Sequence, residues 1–208
     1  MYTPKSFEIK DRAVIKELIE ENGFGLLVSP GDPPEATHLP FLYAEGEGAN
    51  GTLYTHLARN NPQWQALRTD QKVLAVFTGV HGYISPSWYE AKLSVPTWDY
   101  TAVHFHGLPE LVEEPGEFRG LLERLVAFYE KHNGTSWSID LPEDYLIKMM
   151  GAIVGVRIRI TEVQAQFKLS QNRSVEEKKK VAAALRGKGP DYEALAELIE
   201  KYGDVKKD

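Results

Sequence analysis

The stretch IVGVRIRITEVQAQFKL, residues 153–169, changes phase part-way along its length. Val154, Val156, Ile158 and Ile160 stand at even positions, whereas Val163, Ala165, Phe167 and Leu169 stand at odd ones. Side chains alternate across a strand, so a slip of one residue turns the whole apolar set to the opposite face. An extra residue near Thr161-Glu162, as a bulge or bend, lets one long strand serve two faces. Long bent strands of this kind turn the corners of small barrels.

Partners for such a strand lie upstream. FGLLVS, THLPFLY, TLYTHL, KVLAVFTG and TWDYTAVHFHG are short alternating or wholly apolar runs, separated by Gly, Pro and Asn. Asn50-Gly51 signals a tight hairpin between two of them. Asp11 caps a helix carrying Val14, Ile15, Leu18 and Ile19, and Asn61-Pro62 opens a brief one through Trp64 and Leu67. Pro115 starts an amphipathic helix with Phe118, Leu121, Leu122, Leu125 and Tyr129 inward, closing near Asn133-Gly134. From Ser174 the composition turns helical: a capping box with Glu177, a break at GKGP, then DYEALAELIEKYG and a charged, frayed tail. The expectation is a mainly β chain with peripheral helices, an α+β fold. A barrel domain would span residues 1–173, and a helical extension, residues 174–208, would pack on the barrel or on a partner subunit.

At 208 residues the chain can bury one substantial core. It has no cysteine, and the N-terminal MYTPKSFEIKDR lacks the apolar stretch of a secretory signal, so a cytoplasmic location is expected. The net charge of −6 opposes a polyanionic partner, and DNA could be met only through a local basic patch.

GEGANG, residues 46–51, spells a dinucleotide fingerprint, but that motif needs a strand feeding a helix. Here strand patterns flank it on both sides, which makes it a hairpin connection. His104 and His106 share a face without an obvious third ligand, so no metal site is expected. The helical pair near the C-terminus is a poor helix-turn-helix. Its basic first member carries Lys178, Lys179, Lys180, Arg186 and Lys188 in or just after it, but the second carries Asp191, Glu193, Glu197 and Glu200 against only Lys201.

Two stretches are chemically richer. THLARNNP, residues 55–62, brings a hydroxyl, an imidazole, Arg59 and a helix start together, which suits a phosphate or a purely structural cap. KLSQNRS, residues 168–174, leaves a strand with two cations and three polar side chains, and a solvated exit reads the same way. Between them HGYISPSWYEAKLSVPTWDYTAVHFHG, residues 81–107, crowds flat rings and imidazoles. Core packing is the plain explanation for that crowding. The wall of a pocket for a flat ligand is the sharper one.

In this order, HLPFLY, LYTHLARNNPQW, HGYISPSWY, SVPTWDYTAVHFHG and FKLSQNR resemble the PaiB-type family of FMN-binding negative transcriptional regulators. That family is similar to the pyridoxamine-phosphate oxidase group of split β-barrel flavoproteins, homodimers with FMN at the subunit interface. The resemblance implies a split barrel, FMN as cofactor, a homodimer and repression of protease synthesis and sporulation. By the same resemblance Thr55, His56, Arg59 and Asn60 meet the FMN phosphate, while His38 to Phe41, Pro40 included, lie beneath the ring. Ser87, Trp88, Tyr89, Thr97 and Trp98 line the isoalloxazine, and Lys168, Gln171 and Arg173 reach across the interface. Two positions depart from the oxidase pattern: Ala58-Arg59-Asn60 has one cation fewer than Ser-Arg-Lys, and Asp99 stands where Asn is commoner. The alternatives are a flavin-dependent oxidoreductase acting on a small molecule, with His81, His104 and Tyr89 as its candidate bases, and, ranked below it, a haem-binding split barrel with His56 or His104 as ligand.

Overall fold

The structure is a computed structural model that describes residues 1–89 and 93–202; the last six residues of the expected tail, 203–208, lie outside the described residues. In chain order the elements are α1 (Arg12–Glu21), β1 (Phe24–Ser29), β2 (Glu35–Pro40), β3 (Leu42–Ala44), β4 (Thr52–Ala58), α2 (Gln63–Ala66) and β5 (Val73–Ile84). A 3-10 turn at Pro86–Trp88 leads to β6 (Thr97–Val112), α3 (Pro115–His132), α4 (Glu143–Gly151), β7 (Ile153–Lys168), α5 (Val175–Leu185) and α6 (Pro190–Tyr202). The strands form one antiparallel sheet of seven, in the order β2-β1-β5-β6-β7-β4-β3. Among the described residues no helix is long and apolar enough to cross a membrane.

Burial along β7 follows the phase change in its sequence. Val154, Val156, Ile158 and Ile160 are buried, Thr161 and Glu162 are exposed in succession, and Ala165, Phe167 and Leu169 are buried again. Two adjacent residues facing solvent are the signature of a strand that has switched faces. The chain divides there as well. One compact unit takes Lys16–Phe77 and His104–Val163, the other takes Met1–Ile15, Thr78–Val103 and the chain from Gln164 onward.

In the first unit β1 pairs antiparallel with β2 (Leu26 opposite His38) and with β5 (Leu26 opposite Val76), while β4 lies between β3 and β7 (Tyr54 opposite Leu42 and Arg157). Phe41, Phe77 and Phe105 meet edge to face at 5.2 and 5.8 Å in its core. Helix α3 buries Phe118, Leu121 and Leu125 with Val112. It comes that close because Gly155 has no side chain: a Cβ there would lie 2.6 Å from the Phe118 ring. The Glu114 carboxylate accepts from the Gly116 and Glu117 amides at the start of α3, and Asn133 caps its end.

In the second unit the N-terminal segment adds to the end of β7 through a Glu8–Gln166 bridge. The expected capping box closes the start of α5 by reciprocal Ser174 and Glu177 bonds. A Cβ on Gly82 would lie 2.7 Å from Leu195 and 3.1 Å from Tyr192, so this glycine lets α6 sit against β5.

Two details differ from the sequence reading. Asn50-Gly51 is no two-residue hairpin, because residues 45–51 all lie between β3 and β4. The longer connection is shaped by Gly48 and Gly51, at φ of 84° and 86°, and by the Asn50 amide, which donates to the carbonyls of Ile160 and Thr161. GEGANG does join two strands, as its context requires. Helix α4 was not expected at all; it buries only Leu146 and leaves Tyr145 and Ile147 in solvent, so apolar periodicity could not announce it.

Candidate functional site

The residues singled out in the sequence fall into one set in each unit. In the first unit, Thr55 is fully buried in the middle of β4, and its hydroxyl donates to the Pro40 carbonyl at 2.7 Å. That hydroxyl ties two chain segments together rather than facing solvent. His56, next along, is half-buried with a buried Nδ1 that has no hydrogen-bond partner, and burial holds its pKa below the usual imidazole value. Arg59 is exposed but not idle. Its Nε donates to Gly151 O at 2.7 Å, its Nη2 to Ile153 O at 3.0 Å, and its backbone N–H to Ala152 O at 2.8 Å. The guanidinium thus closes the C-terminal end of α4, where a cation opposes the negative end of the helix dipole.

Beside it lies a polar cavity of about 220 Å³, lined by Arg59, Trp64, Arg68 and Glu113 among others. Arg68 bonds Glu113 at 2.6 Å and stacks over Trp64 at 5.3 Å. Asn60 is exposed, whereas Asn61 fixes the approach to α2, whose N-cap is Pro62: its Oδ1 accepts from Gln63 N at 3.0 Å and its Nδ2 donates to Thr37 at 2.9 Å. His38 stands exposed on β2 with its ring stacked on Phe24 at 5.9 Å.

The second unit gathers the rings and the other cations. Trp98 keeps 53% of its surface in solvent, with His81 at 6.2 Å and Tyr83 at 6.1 Å, ring centre to ring centre. The Lys168 ammonium donates to Thr97 Oγ1 and, at 2.6 Å, to Trp98 O. Asp99 is buried. Its Oδ2 accepts from Ser170 Oγ at 2.6 Å, and its Oδ1 has no partner. Burial raises the Asp99 pKa to about 6, against the pull of the Ser170 bonds and the charges of Lys168 and Arg173.

Gln171 folds back on its own turn, accepting from Leu169 N at 2.7 Å and donating to Phe167 O at 2.6 Å. Arg173 lies 3.9 Å over the ring of Tyr89, and Lys188 4.1 Å over that of Trp88. Ser87 exchanges a 2.8 Å hydroxyl bond with Ser85. The sequence placed neither Lys188 nor Ser170 in the candidate site, although both stand in stretches it singled out. Lys188 lies between two glycines of a helix break, and the φ of 57° at Ser170 is a conformation that serine does not signal. Among the described residues no group of three or more His, Asp or Glu side chains could hold a metal ion.

Residues 1–162 match the family described as "Putative FMN-binding domain". The chain belongs to this family. Over 204 residues it is 36% identical to the Bacillus subtilis protein "Protease synthase and sporulation protein PAI 2", covering 96% of this chain and 97% of that one. The resemblance to the PaiB-type family read from the sequence is thus borne out at the level of the family. Among solved structures, the flavocytochrome Anf3 of Azotobacter vinelandii is similar with a TM-score of 0.57 at 14% identity, over 77% of this chain and 69% of that one. The conserved protein Rv2991 of Mycobacterium tuberculosis gives 0.56 at 18%, over 84% and 94%. Likeness at these identities concerns the fold. The expected mainly β split barrel with a C-terminal helix pair is the fold this family member has.

Proposed function

We propose that the protein binds FMN and acts as a PaiB-like negative regulator of gene expression, as a homodimer with the ligand site at the subunit interface. One observation carries the cofactor reading: Trp98 presents an open indole framed by His81 and Tyr83, with the Lys168 ammonium on its own carbonyl. A contiguous cluster of exposed rings marks a surface for something flat, and a nearby cation suits an anionic ligand. The family membership points the same way.

In this reading Trp98 packs the isoalloxazine, with Ser87, Trp88, Tyr89 and Thr97 around it. Lys168 and Arg173 supply positive charge beside it, while Arg59, Asn60, His38 and His56 belong to the set in the other unit, where the Arg59 guanidinium already bonds the Gly151 and Ile153 carbonyls. Bound FMN supplies redox chemistry and a phosphate dianion. Thr55 and Gln171 act by holding backbone, since their polar groups are already bonded within the chain.

The regulatory reading, including repression of protease synthesis and sporulation, rests on the name of the Bacillus relative. A protein partner or metabolite suits it better than direct DNA reading. Of the basic residues near the helix pair, Lys178 is buried, Arg186 bonds Glu193 and Glu200 at 3.2 and 2.8 Å, and Lys188 lies on Trp88.

Titrating the protein with FMN at neutral pH, followed by flavin fluorescence, tests the proposal. Saturable binding of one FMN per chain is expected, and Trp98→Ala should weaken it tenfold or more, about 1.4 kcal/mol. No binding at millimolar FMN overturns it. One observation keeps an oxidoreductase as the second reading: a buried carboxyl poised near pH 6, Asp99, is suited to proton transfer. Oxidation of a reduced nicotinamide with FMN present, lost in Asp99→Asn, would favour that reading.

A further inference from the structure

Three consecutive residues at the start of β6 grip the place where β7 ends. Thr97 Oγ1 and Trp98 O accept from Lys168, and Asp99 accepts from Ser170. Ser170 is the only non-glycine residue with positive φ among the described residues. A left-handed serine is sterically disfavoured and persists only where its surroundings over-determine it. Here the Asp99 carboxylate does so, taking the Ser170 hydroxyl at 2.6 Å. The same turn continues through Arg173, whose N–H donates to Ser170 O at 2.9 Å and whose guanidinium covers Tyr89.

We infer that Asp99 is a positioning residue: with Ser170 it forms a proton-locked clasp that sets the turn carrying Lys168 and Arg173, and hence the cations that this face offers to a ligand. The charged groups around the clasp are Lys168 from β7, Arg173 from the turn and, through its 4.0 Å pair with Arg173, Glu177 from α5. Tyr89, from the end of the 3-10 turn, lies under Arg173. Neither cation lies within 4.0 Å of the carboxylate as an ion pair, and Oδ1 is left bare. A bare buried oxygen is tolerable on a neutral acid and costly on an anion.

Linkage fixes the sign. In the closed clasp Asp99 titrates near pH 6, and once opened to water it titrates near the ordinary 3.8. Opening therefore becomes easier as pH rises from about 4 to 6, by about a hundredfold in all, and no further above that. Protonation locks the clasp.

Amide hydrogen exchange of the FMN-free protein tests this directly. Protection factors at residues 170–173, corrected for intrinsic rates, should fall by about a hundredfold between pH 4 and pH 7. In Asp99→Asn they should be flat across that range. Ser170→Ala keeps the disfavoured φ and loses the hydroxyl, so it should lower protection; Ser170→Gly accepts that φ without strain and should recover part of it. Equal slopes in wild type and Asp99→Asn, or a wild type without slope, overturn the clasp. The effect on ligand rests on the flavin reading above. FMN should bind wild type more weakly at pH 7.5 than at pH 5, with the difference absent in Asp99→Asn. Failure of FMN to bind at any pH defeats the flavin reading and leaves the exchange result to decide the clasp.

Discussion

At the scale of single residues, Tyr129 shows how much one hydroxyl organises. It lies 2.8 Å from Phe41 O and 3.1 Å from Gly23 O, and it accepts from Phe41 N at 3.1 Å. A Cβ on Gly23 would come within 2.5 Å of that oxygen. Tyr129→Phe should cost about 1 kcal/mol, since Phe41 N–H retains its bond to Gly23 O. Gly23→Ala should cost about 1–3 kcal/mol by overpacking. Combined, the two should cost less than their sum, because the phenylalanine removes the oxygen that the new methyl strikes. Urea unfolding of the three variants checks this. Asp99 gives a second prediction. Its folded pKa is raised, so ionisation penalises the folded state as pH climbs from about 4 to 6, and the penalty stays constant above that. Thermal melts should show Asp99→Asn more stable than wild type at pH 7 by up to about 3 kcal/mol, with the gain gone below pH 4. The sequence marked Asp99 as unusual, but not the serine it holds: a residue's φ is imposed by its neighbours in space.

At the scale of elements, the C-terminal helix pair is fixed by shape more than by charge. Arg186 bonds both Glu193 and Glu200, but all three side chains are well exposed, and such pairs contribute little. The seat at Gly82 is different, with Leu195 and Tyr192 close against it. Gly82→Val should lower the unfolding midpoint by an amount matching about 1–3 kcal/mol and loosen α6 in hydrogen exchange, while Arg186→Ala should change neither measurably. How far elements could be read from the sequence follows the same logic of burial. β1 and the phase switch of β7 were legible because one buried face imposes a strict period. α4 was not, because its Tyr145, Ile147 and Met149 face water. The candidate residues were legible as residue types: THLARNNP supplies Arg59 to one set, and KLSQNRS supplies Lys168 and Arg173 to the other. Their present duties were not, since Arg59 closes α4 and Gln171 closes its own turn through backbone carbonyls that no sequence pattern marks.

At the scale of the whole molecule, charge decides between routes to the regulation proposed above. With a net charge of −6 and a pI near 5.6, the chain repels a duplex at long range. Direct binding would need several lysines or arginines free to displace counterions, with an affinity falling steeply in salt. The helix pair cannot supply them. Lys178 is buried, Arg186 is paired, Lys188 caps an indole, and α6 presents Asp191, Glu197 and Glu200. Lys179 and Lys180 are exposed, but two adjacent cations amount to two phosphate contacts. The open ring of Trp98 is the stronger feature for recognition, and it favours a flat ligand or a protein surface. In a cell carrying a reporter that this protein represses, exchanging Lys179 and Lys180 for Glu should leave repression unchanged, whereas Trp98→Ala should relieve it. Relief by the charge reversal, with Trp98→Ala still repressing, would place the regulatory contact on DNA and not at the ring.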